Sequence, residues 1–466
     1  MNKNFSSKIY SNLTITEMHN AGRAIAKQGN QILYIDFGIP GEIVDISAQK
    51  SKFDYMVGQI KNIKQASPNR VKPICRHFGF CGGCNWQHMS YEEQLKQKRE
   101  ILINALKKYQ IKTPAIPAVI PSEKTTFYRN KLEYAFSASR WYFPHEGKIM
   151  NPYDRLALGF HLIDEPNKII DIKECWLQAE PSRKICRVVK EIAWNQKISF
   201  YNPREKQGYL RSMTIRTSST GEVMLIFGIM GQDTSIIEKL IKQLIDEVPN
   251  ITSVYFGIIP SHDKGISDAK LELYQGLKEF ITEKIEDITF RISPKSFFQP
   301  NVEQAAIIYN KILQYAAFSG TETVFDLYSG VGTIACFIAK HVNKVIAMDG
   351  LPEAIEDAKI NAAINNISNI SFFAGDILHS FTIKFLKKHG LPEVVILDPP
   401  RSGTLIEIKK TIIQAEPKKI IYVSCNPVSL AYDLKQFTEK YKVTAIQPFD
   451  MFPHTHQLET VVLLEK

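Results

Sequence analysis

The order of apolar and polar positions divides the chain into three stretches. Between residues 13 and 63, short alternating runs separated by glycines are typical of a small all-β barrel. Between residues 125 and 290, strand-like and helix-like segments alternate. From about residue 291 onward, short apolar runs followed by helix-length segments predict a doubly wound α/β fold. The pattern therefore predicts a multidomain protein, with boundaries at residues 1–70, 71–290 and 291–466.

The C-terminal stretch contains five predicted strands that each end in a polar group. These groups are Asp326, Asp349, Asp376, Asp398 and Cys425. Because parallel strands place reacting groups and ligands just beyond their carboxyl ends, we expect these side chains to surround one cleft. Two further strands, near residues 443–447 and 459–464, predict an antiparallel pair at the sheet edge and bring the total to about seven.

Cys425 is the candidate nucleophile. Residues 420–427 read IIYVSCNP, so an apolar strand stops at a thiol that a proline soon follows. Residues 394–401 read VVILDPPR, so the preceding strand ends at the Asp398 carboxylate and the Arg401 guanidinium, which we expect to depress the thiol pKa. The alternative for Cys425 is a buried structural cysteine, since cysteine is among the most buried residue types.

A glycine turn after the first of these strands is the candidate cofactor site. Gly330 and Gly332 lie between a strand and a helix start, where the backbone can approach a ligand. Asp349 is placed to accept hydrogen bonds from a ribose, and Asp376 to lie near an adenine. A dinucleotide fold is disfavoured because Ala335 replaces the third glycine and no cation is present to hold a pyrophosphate. S-adenosylmethionine fits better, and strand-end capping is the alternative for each aspartate.

Clustered cysteines predict a metal or iron-sulfur site. Cys75, Cys81 and Cys84 lie in one glycine-rich loop, and Cys175 is the best remote fourth ligand. A single Cys-x5-Cys-x2-Cys run with a distant fourth thiol favours a 4Fe-4S cluster, and zinc is the direct alternative. The remaining cysteines besides Cys425 sit in helical patterns and are predicted to be core residues: Cys186 and Cys336.

Charge and hydropathy predict the kind of partner and the cellular compartment. A net charge of +10 favours a polyanionic partner such as nucleic acid. A charged amphipathic helix over residues 91–109 is expected to pack on the third domain. Neither a membrane-spanning run nor a secretory signal is present, so we expect a cytoplasmic protein without a membrane partner. Basic residues alternate along the central strands and form a candidate phosphate-binding face: Arg129, Lys131, Arg211 and Arg216.

Together these motifs resemble the RNA uracil-5 methyltransferase family, most closely its 23S ribosomal RNA branch with an iron-sulfur cluster. The motifs are the four cysteines, residues 292–301, 326–330, 398–401, 424–427 and 450–455, and Glu459. Three positions depart from the family pattern, with Thr333 where asparagine is common, Asp349 for glutamate and Gln457 for histidine.

The resemblance implies an N-terminal OB-like TRAM barrel that binds RNA, a central α/β iron-sulfur domain and a C-terminal Rossmann-like methyltransferase domain. It implies methylation of carbon 5 of a 23S rRNA uridine, with Cys425 as nucleophile and Glu459 as base. A transfer RNA uridine is the alternative substrate, and an iron-sulfur RNA-binding protein without transferase activity is the alternative class. His454 or His456 is the rival base, and we expect a monomer. The implied cofactor contacts are Gln299, Tyr328, Thr333, Asp349, Asp376 and Asp398.

Overall fold

A computed structural model describes residues 8–51, 54–143, 146–147 and 151–466. It contains a small barrel, a central mixed sheet and a doubly wound C-terminal sheet, so the predicted multidomain architecture is confirmed. The exact domain boundaries remain predictions. A two-stranded hairpin, β13 (Ile281–Ile285) with β14 (Ile288–Ile292), lies between the last two sheets in the chain.

The first five strands close into a barrel in the order β1-β2-β3-β5-β4. Alternate side chains point inward, and Ile15, Leu33 and Val44 are buried in the barrel core. The alternating pattern therefore predicted this region correctly. The strands are β1 (Lys8–Met18), β2 (Ala24–Gln28), β3 (Gln31–Asp36), β4 (Ile43–Lys50) and β5 (Met56–Gln65).

Helix α1 (Tyr91–Lys108) joins the barrel to the C-terminal sheet. Its Ile101 packs into the barrel core, and Leu102 packs into the core on one face of the C-terminal sheet. An ion pair reinforces the second contact, because Lys98 Nζ lies 2.5 Å from Asp450 Oδ1 and both side chains are fully buried. Removing one partner of such a pair would leave an uncompensated buried charge.

The central sheet has seven strands in the order β12-β11-β10-β9-β6-β7-β8. Helices α2 and α3 cover one face and bury Leu132 and Tyr134 of β6. Because side chains alternate along a strand, Lys131, Glu133 and Ala135 lie on the opposite, open face. The elements are β6 (Lys131–Ser137), β7 (Ala157–Leu162), β8 (Glu165–Asp171), α2 (Ser182–Asn195), β9 (Leu210–Thr217), β10 (Val223–Ile229), α3 (Ser235–Glu247), β11 (Ile251–Ile258) and β12 (Leu271–Leu273).

The C-terminal sheet has the order β17-β16-β15-β18-β19-β21-β20. The first five strands are parallel, and β21 runs antiparallel between β19 and β20. The seven strands and the antiparallel final pair agree with the sequence pattern. The strands are β15 (Thr323–Leu327), β16 (Lys344–Asp349), β17 (Ile370–Ala374), β18 (Val394–Leu397), β19 (Lys419–Ser424), β20 (Lys442–Phe449) and β21 (Glu459–Glu465).

Helices cover both faces of this sheet, and two cores result. The helices are α4 (Val302–Ala316), α5 (Thr333–Ile338), α6 (Pro352–Ile364), α7 (Ile377–Ser380), α8 (Ile383–His389), α9 (Ile406–Ala415) and α10 (Pro427–Phe437). Short 3-10 turns lie at Pro152–Arg155, Ile266–Asp268 and Ala339–His341. None of the helices in the described ranges combines the length and apolar character that a bilayer crossing requires.

Candidate active site

A cavity of about 1240 Å³ opens at the carboxyl ends of the parallel strands of the C-terminal sheet. Open α/β sheets bind their ligands at this edge. The residues predicted for catalysis and cofactor binding come from separate elements, and the structure brings the whole set together here. They are Gln299, Tyr328, Thr333, Asp349, Asp376, Asp398, Cys425 and Glu459. Their individual roles remain predictions.

The turn between β15 and α5 forms one wall of this active-site cavity. Tyr328, Gly330 and Gly332 have φ angles of 65°, 54° and 77°, in the left-handed region that favours glycine. A Cβ at Gly332 would lie 3.0 Å from the Cβ of Ala358, so glycine allows α6 to pack closely. A Cβ at Gly330 would meet no atom, so the backbone there is open to a ligand.

Asp349, at the end of β16, holds this turn in place. Its Oδ2 accepts a hydrogen bond from the Gly330 N–H, and its Oδ1 accepts one from the Leu351 N–H, both at 2.9 Å. Asp376 caps α7 by accepting a hydrogen bond from the Leu378 N–H at 3.0 Å. Both aspartates therefore cap backbone groups, as the alternative interpretation expected, and both also line the cavity.

The loop that carries Gln299 is held between the two large sheets. Asn130 Nδ2 donates to the Gln299 carbonyl oxygen at 2.9 Å. Ser293 and Ser296 donate to the Asp357 carboxylate on α6 at 2.7 and 2.5 Å. Sequence reasoning missed the role of Asp357, because an acidic residue of a surface helix has the same pattern whether or not it anchors a loop.

Cys425 and Glu459 meet across two strands. β19 and β21 run antiparallel, and their last paired residues are Ser424 and Thr460. One residue further, the half-buried Cys425 therefore stands opposite Glu459, which is buried. The insertion of β21 beside β19 is thus what places a carboxyl group next to the thiol.

The Asp398–Arg401 loop is fixed to the Cys425 loop. Asn426 Nδ2 donates to the Arg401 carbonyl oxygen at 2.9 Å, and Ser429 Oγ donates to the same oxygen at 3.0 Å. Both loops contribute to the cavity, since Asp398 and Arg401 line it together with Cys425. The side chains at the ends of β18 and β19 are therefore held in one arrangement.

Burial controls the protonation of these groups. It raises the pKa of Asp398 to about 7. Burial and the Asp398 charge raise the pKa of Glu459 well above its usual range, with Arg401 opposing. Burial, then Glu459 and Asp398, raise the pKa of the Cys425 thiol to about 12, while Arg401 lowers it only in part. Arg401 thus lowers the thiol pKa as expected, but the expected net depression is wrong, because desolvation outweighs one guanidinium.

Asp326 is not part of this cavity wall. β15 continues to Leu327, so Asp326 lies within the strand and is fully buried. Burial raises the pKa of its carboxyl well above the usual range. The predicted strand end was one residue too early, which moves this side chain from the cleft into the sheet.

Comparison with known proteins identifies the family. The family model described as tRNA (Uracil-5-)-methyltransferase matches residues 267–466, which contain all seven strands of the C-terminal sheet. An uncharacterized RNA methyltransferase of Bacteroides thetaiotaomicron is 41% identical over 449 residues, covering 95% of this chain and 99% of the relative. The chain belongs to the RNA uracil-5 methyltransferase family.

Two further similarities extend over the whole methyltransferase. An uncharacterized RNA methyltransferase of Porphyromonas gingivalis is 38% identical, covering 97% of this chain and 99% of the relative. The crystal structure of Pyrococcus abyssi tRNA (uracil-54, C5)-methyltransferase in complex with S-adenosyl-L-homocysteine matches with a TM-score of 0.77 and 29% identity. That match covers 97% of this chain and 99% of the other. The predicted family and enzyme class are confirmed.

The two histidines near Glu459 in this methyltransferase have structural partners. The His454 backbone N–H donates to Gln94 Oε1 at 2.8 Å, and its ring Nδ1 lies 3.4 Å from Gln94 Nε2. His456 Nδ1 lies 2.7 Å from Asn85 Nδ2. Burial lowers the pKa of both imidazoles to about 4. Neither histidine is among the residues that line the active-site cavity, whereas Glu459 is. This arrangement favours Glu459 over the histidines as the base.

The basic residues of the candidate phosphate-binding face lie in different environments. Arg129 and Lys131 line the active-site cavity. Arg216 is buried, and its guanidinium donates to the Ser296 carbonyl oxygen. The prediction that Arg216 faces phosphates is therefore wrong, because its partner is the methyltransferase's own backbone.

Glu133 lies beside Lys131 on the same open face, and sequence reasoning missed it because a lone carboxylate in a strand carries no signal.

The four clustered cysteines line a second cavity, of about 560 Å³. The loop that carries Cys81 and Cys84 runs along β7, where the Gly82 N–H donates to the His161 carbonyl oxygen at 3.2 Å. Cys175 reaches the same cavity from the segment after β8, and Cys75 completes the lining. Within the described ranges, no three His, Cys, Asp or Glu side chains converge closely enough to hold a single metal ion.

The other two cysteines are core residues, as predicted. Cys186 of α2 is buried in the core of the central sheet. Cys336 of α5 is buried in a core of the C-terminal sheet. Neither is among the residues that line the cysteine cavity.

Proposed function

We propose that this methyltransferase methylates carbon 5 of an RNA uridine through a covalent bond between Cys425 and the uracil. The observation that carries the proposal is the pair formed by Cys425 and Glu459 across β19 and β21, at the wall of one large cavity. The proposed substitution requires a nucleophile and a base that can both reach the same uracil ring.

S-adenosylmethionine is the proposed methyl donor, and it supplies the methyl group as an electrophilic sulfonium when bound. The open backbone at Gly330, the Asp349 carboxylate and Asp376 support this site, because the turn holds no cation that a pyrophosphate would need. The Pyrococcus abyssi relative, whose structure contains S-adenosyl-L-homocysteine, adds support. Gln299, Tyr328, Thr333 and Asp398 are the other proposed contacts.

The proposed chemistry assigns one bond change to each residue. The Cys425 thiolate adds to carbon 6 of uracil, which makes carbon 5 nucleophilic enough to take the methyl group. Glu459 then removes the proton from carbon 5, and the carbon-sulfur bond breaks as the ring double bond returns. The raised pKa of the Glu459 carboxyl makes its ionised form a strong base. The uridine has to leave its stack to reach the cavity.

We propose a 23S rRNA uridine as the substrate and a TRAM-type RNA-binding role for the barrel. A transfer RNA uridine is the second candidate, because the Pyrococcus abyssi relative is a tRNA (uracil-54, C5)-methyltransferase. Unmodified transcripts of 23S rRNA and of transfer RNA, each incubated with labelled S-adenosylmethionine, separate the two. Labelled 5-methyluridine in digests of only one transcript identifies the substrate class.

We also propose that the cysteine cavity holds a 4Fe-4S cluster. Four thiolates suit either zinc or such a cluster. The four thiols here line one cavity of about 560 Å³. The single Cys-x5-Cys-x2-Cys run with a distant fourth thiol supports the cluster over zinc.

The catalytic proposal is tested by what each variant accumulates. Cys425→Ala should transfer no methyl group and form no adduct with RNA. Glu459→Gln should complete one methylation and stall, because the blocked step follows methyl transfer, and turnover should fall about 10²–10⁴-fold. The stalled adduct should survive denaturing electrophoresis and carry the labelled methyl group.

Cys336→Ala is the matched control, since Cys336 is a buried core thiol outside the cavity lining. It should turn over like the unaltered protein. Normal turnover by Glu459→Gln, with a labelled adduct trapped by His454→Ala or His456→Ala, would move the role of base to a histidine.

A further inference from the structure

A third cavity, of about 550 Å³, lies on the open face of the central sheet. Glu133, Gly265 and Ile266 line both this cavity and the active-site cavity. The two cavities therefore adjoin. Helices α2 and α3 cover the other face of the sheet, so both cavities lie on the face that these helices leave free.

The floor of the third cavity is a row of small residues. Ala135 of β6 pairs with Ser212 of β9, and Ser212 pairs with Gly228 of β10. Gly228 is covered by Ile259 and Ile266, since an added Cβ there would lie 2.8 and 3.4 Å from their Cδ1 atoms. The small side chains of Ala135 and Ser212 leave a trough beside these two isoleucines, and all four residues line the cavity.

The Ser212 hydroxyl is a buried polar group without a partner. Ser212 is 8% exposed, and its Oγ has no hydrogen-bond partner within the ranges that the structure describes. An unpaired buried hydroxyl is unfavourable. Ser212 also lines the cavity, so a ligand with a donor or acceptor at this point would satisfy it.

One wall of the third cavity is an ordered stack of rings and a cation. The rings of Tyr201 and His262 are 5.9 Å apart at an interplanar angle of 23°, and Tyr201 Oη lies 2.9 Å from His262 Nδ1. The Arg211 guanidinium lies 5.0 Å from the Tyr201 ring centroid. It also donates to the carbonyl oxygens of Ser261 and His262 at 3.0 and 2.8 Å, which fixes the wall.

We propose that the third cavity binds the base of a nucleotide that flanks the target uridine in single-stranded RNA. The inference rests on the proposed function. Aromatic and guanidinium groups are the surfaces on which unpaired bases stack. The Ser212 hydroxyl would bond to a base edge, and exposed Lys206 at the rim would meet a phosphate. The third cavity shares Glu133, Gly265 and Ile266 with the active-site cavity, which is why we assign it to a flanking nucleotide.

The test uses a fluorescent heptanucleotide pool with a central uridine and random flanks. Six further pools carry an abasic residue at one flanking position each. Anisotropy titrations of the full chain should show a loss of affinity of roughly tenfold at one flanking position, the usual effect of losing one stacked base. Ser212→Leu, which fills the trough, should bind the parent pool about as weakly as the unaltered protein binds the affected abasic pool. An abasic residue at that position should not lower its affinity further. Ser212→Ala leaves the trough open and should keep the position dependence.

Exposed residues provide a second test that does not disturb the sheet. His262→Ala should abolish the position dependence even if Ser212→Leu does not fold. Lys206→Ala should weaken binding of the parent pool severalfold and reduce its salt dependence. Lys197→Ala is the matched control. Lys206 and Lys197 are both exposed and have φ angles of 55° and 56°, but Lys197 is not among the residues that line the cavity.

Two results would overturn the inference: an abasic profile of Ser212→Leu or His262→Ala that matches the unaltered protein, or no position dependence in the unaltered protein. Failure of the proposed function has a different signature. In that case the unaltered chain would bind the pools but form no 5-methyluridine in either RNA transcript.

Discussion

At the scale of single residues, burial determines which groups in the active site carry charge. Asp398, Glu459 and Cys425 lie at the ends of three adjacent strands, and desolvation is the largest cause of the raised pKa of each. The neutral forms of Glu459 and of the Cys425 thiol are therefore favoured before substrates bind, which avoids adjacent negative charges. In the proposed mechanism Cys425 has to lose its proton before it adds to uracil, and the raised pKa of the thiol opposes that step.

The raised pKa of Asp398 predicts a pH-dependent stability. The pKa of its carboxyl is about 7 in the folded protein and near 3.9 in an unfolded chain. The contribution of this carboxyl to the free energy of unfolding is thus fully present below about pH 4 and is lost as the pH rises to about 7. Asp398→Asn stays neutral at both pH values, so its gain in stability over the unaltered protein should be larger at pH 8 than at pH 5. We expect a difference of only about 1–2 kcal/mol between the two pH values, because the side chain borders an open cavity.

Thermal unfolding at pH 5 and pH 8, without RNA or cofactor, measures this difference. Asp376→Asn is the control, since Asp376 is exposed and asparagine can also cap a helix. An equal effect of Asp398→Asn at both pH values would show that the carboxyl is already ionised at pH 5.

At the scale of elements, the glycine turn and the end of β16 act as one unit. Asp349 accepts hydrogen bonds from the backbone on both sides of the cofactor site, at Gly330 and at Leu351. The same carboxylate is proposed to bind the ribose. In this proposal a single side chain both shapes the turn and contacts the cofactor, so the sequence alone could not separate strand-end capping from cofactor binding.

Asp349→Ala should weaken binding of S-adenosyl-L-homocysteine by about 10- to 100-fold, because charge-assisted hydrogen bonds contribute about 1.5–3 kcal/mol. Calorimetry with S-adenosyl-L-homocysteine measures the change, and RNA affinity should stay the same. Glu356→Ala is the control, since Glu356 is an exposed residue of α6 that pairs with Lys359 at 2.7 Å. Unaltered cofactor affinity in Asp349→Ala would reduce Asp349 to a backbone cap.

At the scale of the whole molecule, three cavities meet on the open face of the central sheet. Glu133 lines all three: the active-site cavity, the cysteine cavity and the third cavity. Phe297 is exposed and lies between the first two. The central sheet therefore does more than support the cysteine-rich loop, since its face forms part of the proposed RNA-binding surface.

The cysteine cavity gives a prediction at this scale, because its residues come from distant parts of the chain. Protein purified without oxygen should contain about four irons per chain and show thiolate-to-iron absorption in the visible range. Cys175→Ala should lose this absorption and most of the iron. Cys186→Ala, which alters a buried core thiol, should keep both.

Stoichiometric zinc without iron would contradict the cluster assignment. Iron retained in Cys175→Ala would instead point to another fourth ligand. His77 would be the first to examine, because it lines the same cavity and its Nδ1 lies 3.7 Å from Cys75 Sγ.

The sequence by itself determined the features that depend on neighbouring residues. Alternation predicted the barrel, strand-helix periodicity predicted the doubly wound sheet, and Pro427 predicted that Cys425 ends a strand, because each follows from local backbone preferences. The edge at which Asp349, Asp398 and Cys425 gather follows from the general rule for parallel strands.

Only the tertiary structure decided what depends on burial and on contacts between distant segments. The position of Glu459 beside Cys425 requires β21 to insert next to β19, and nothing local to either strand specifies that pairing. The burial of Arg216 and the raised pKa of the Cys425 thiol depend on how much solvent the packed domains exclude. The trough at Ser212 exists because Ala135 and Ser212, small residues of two strands, fall in register, and register is set by the pairing of the strands as a whole.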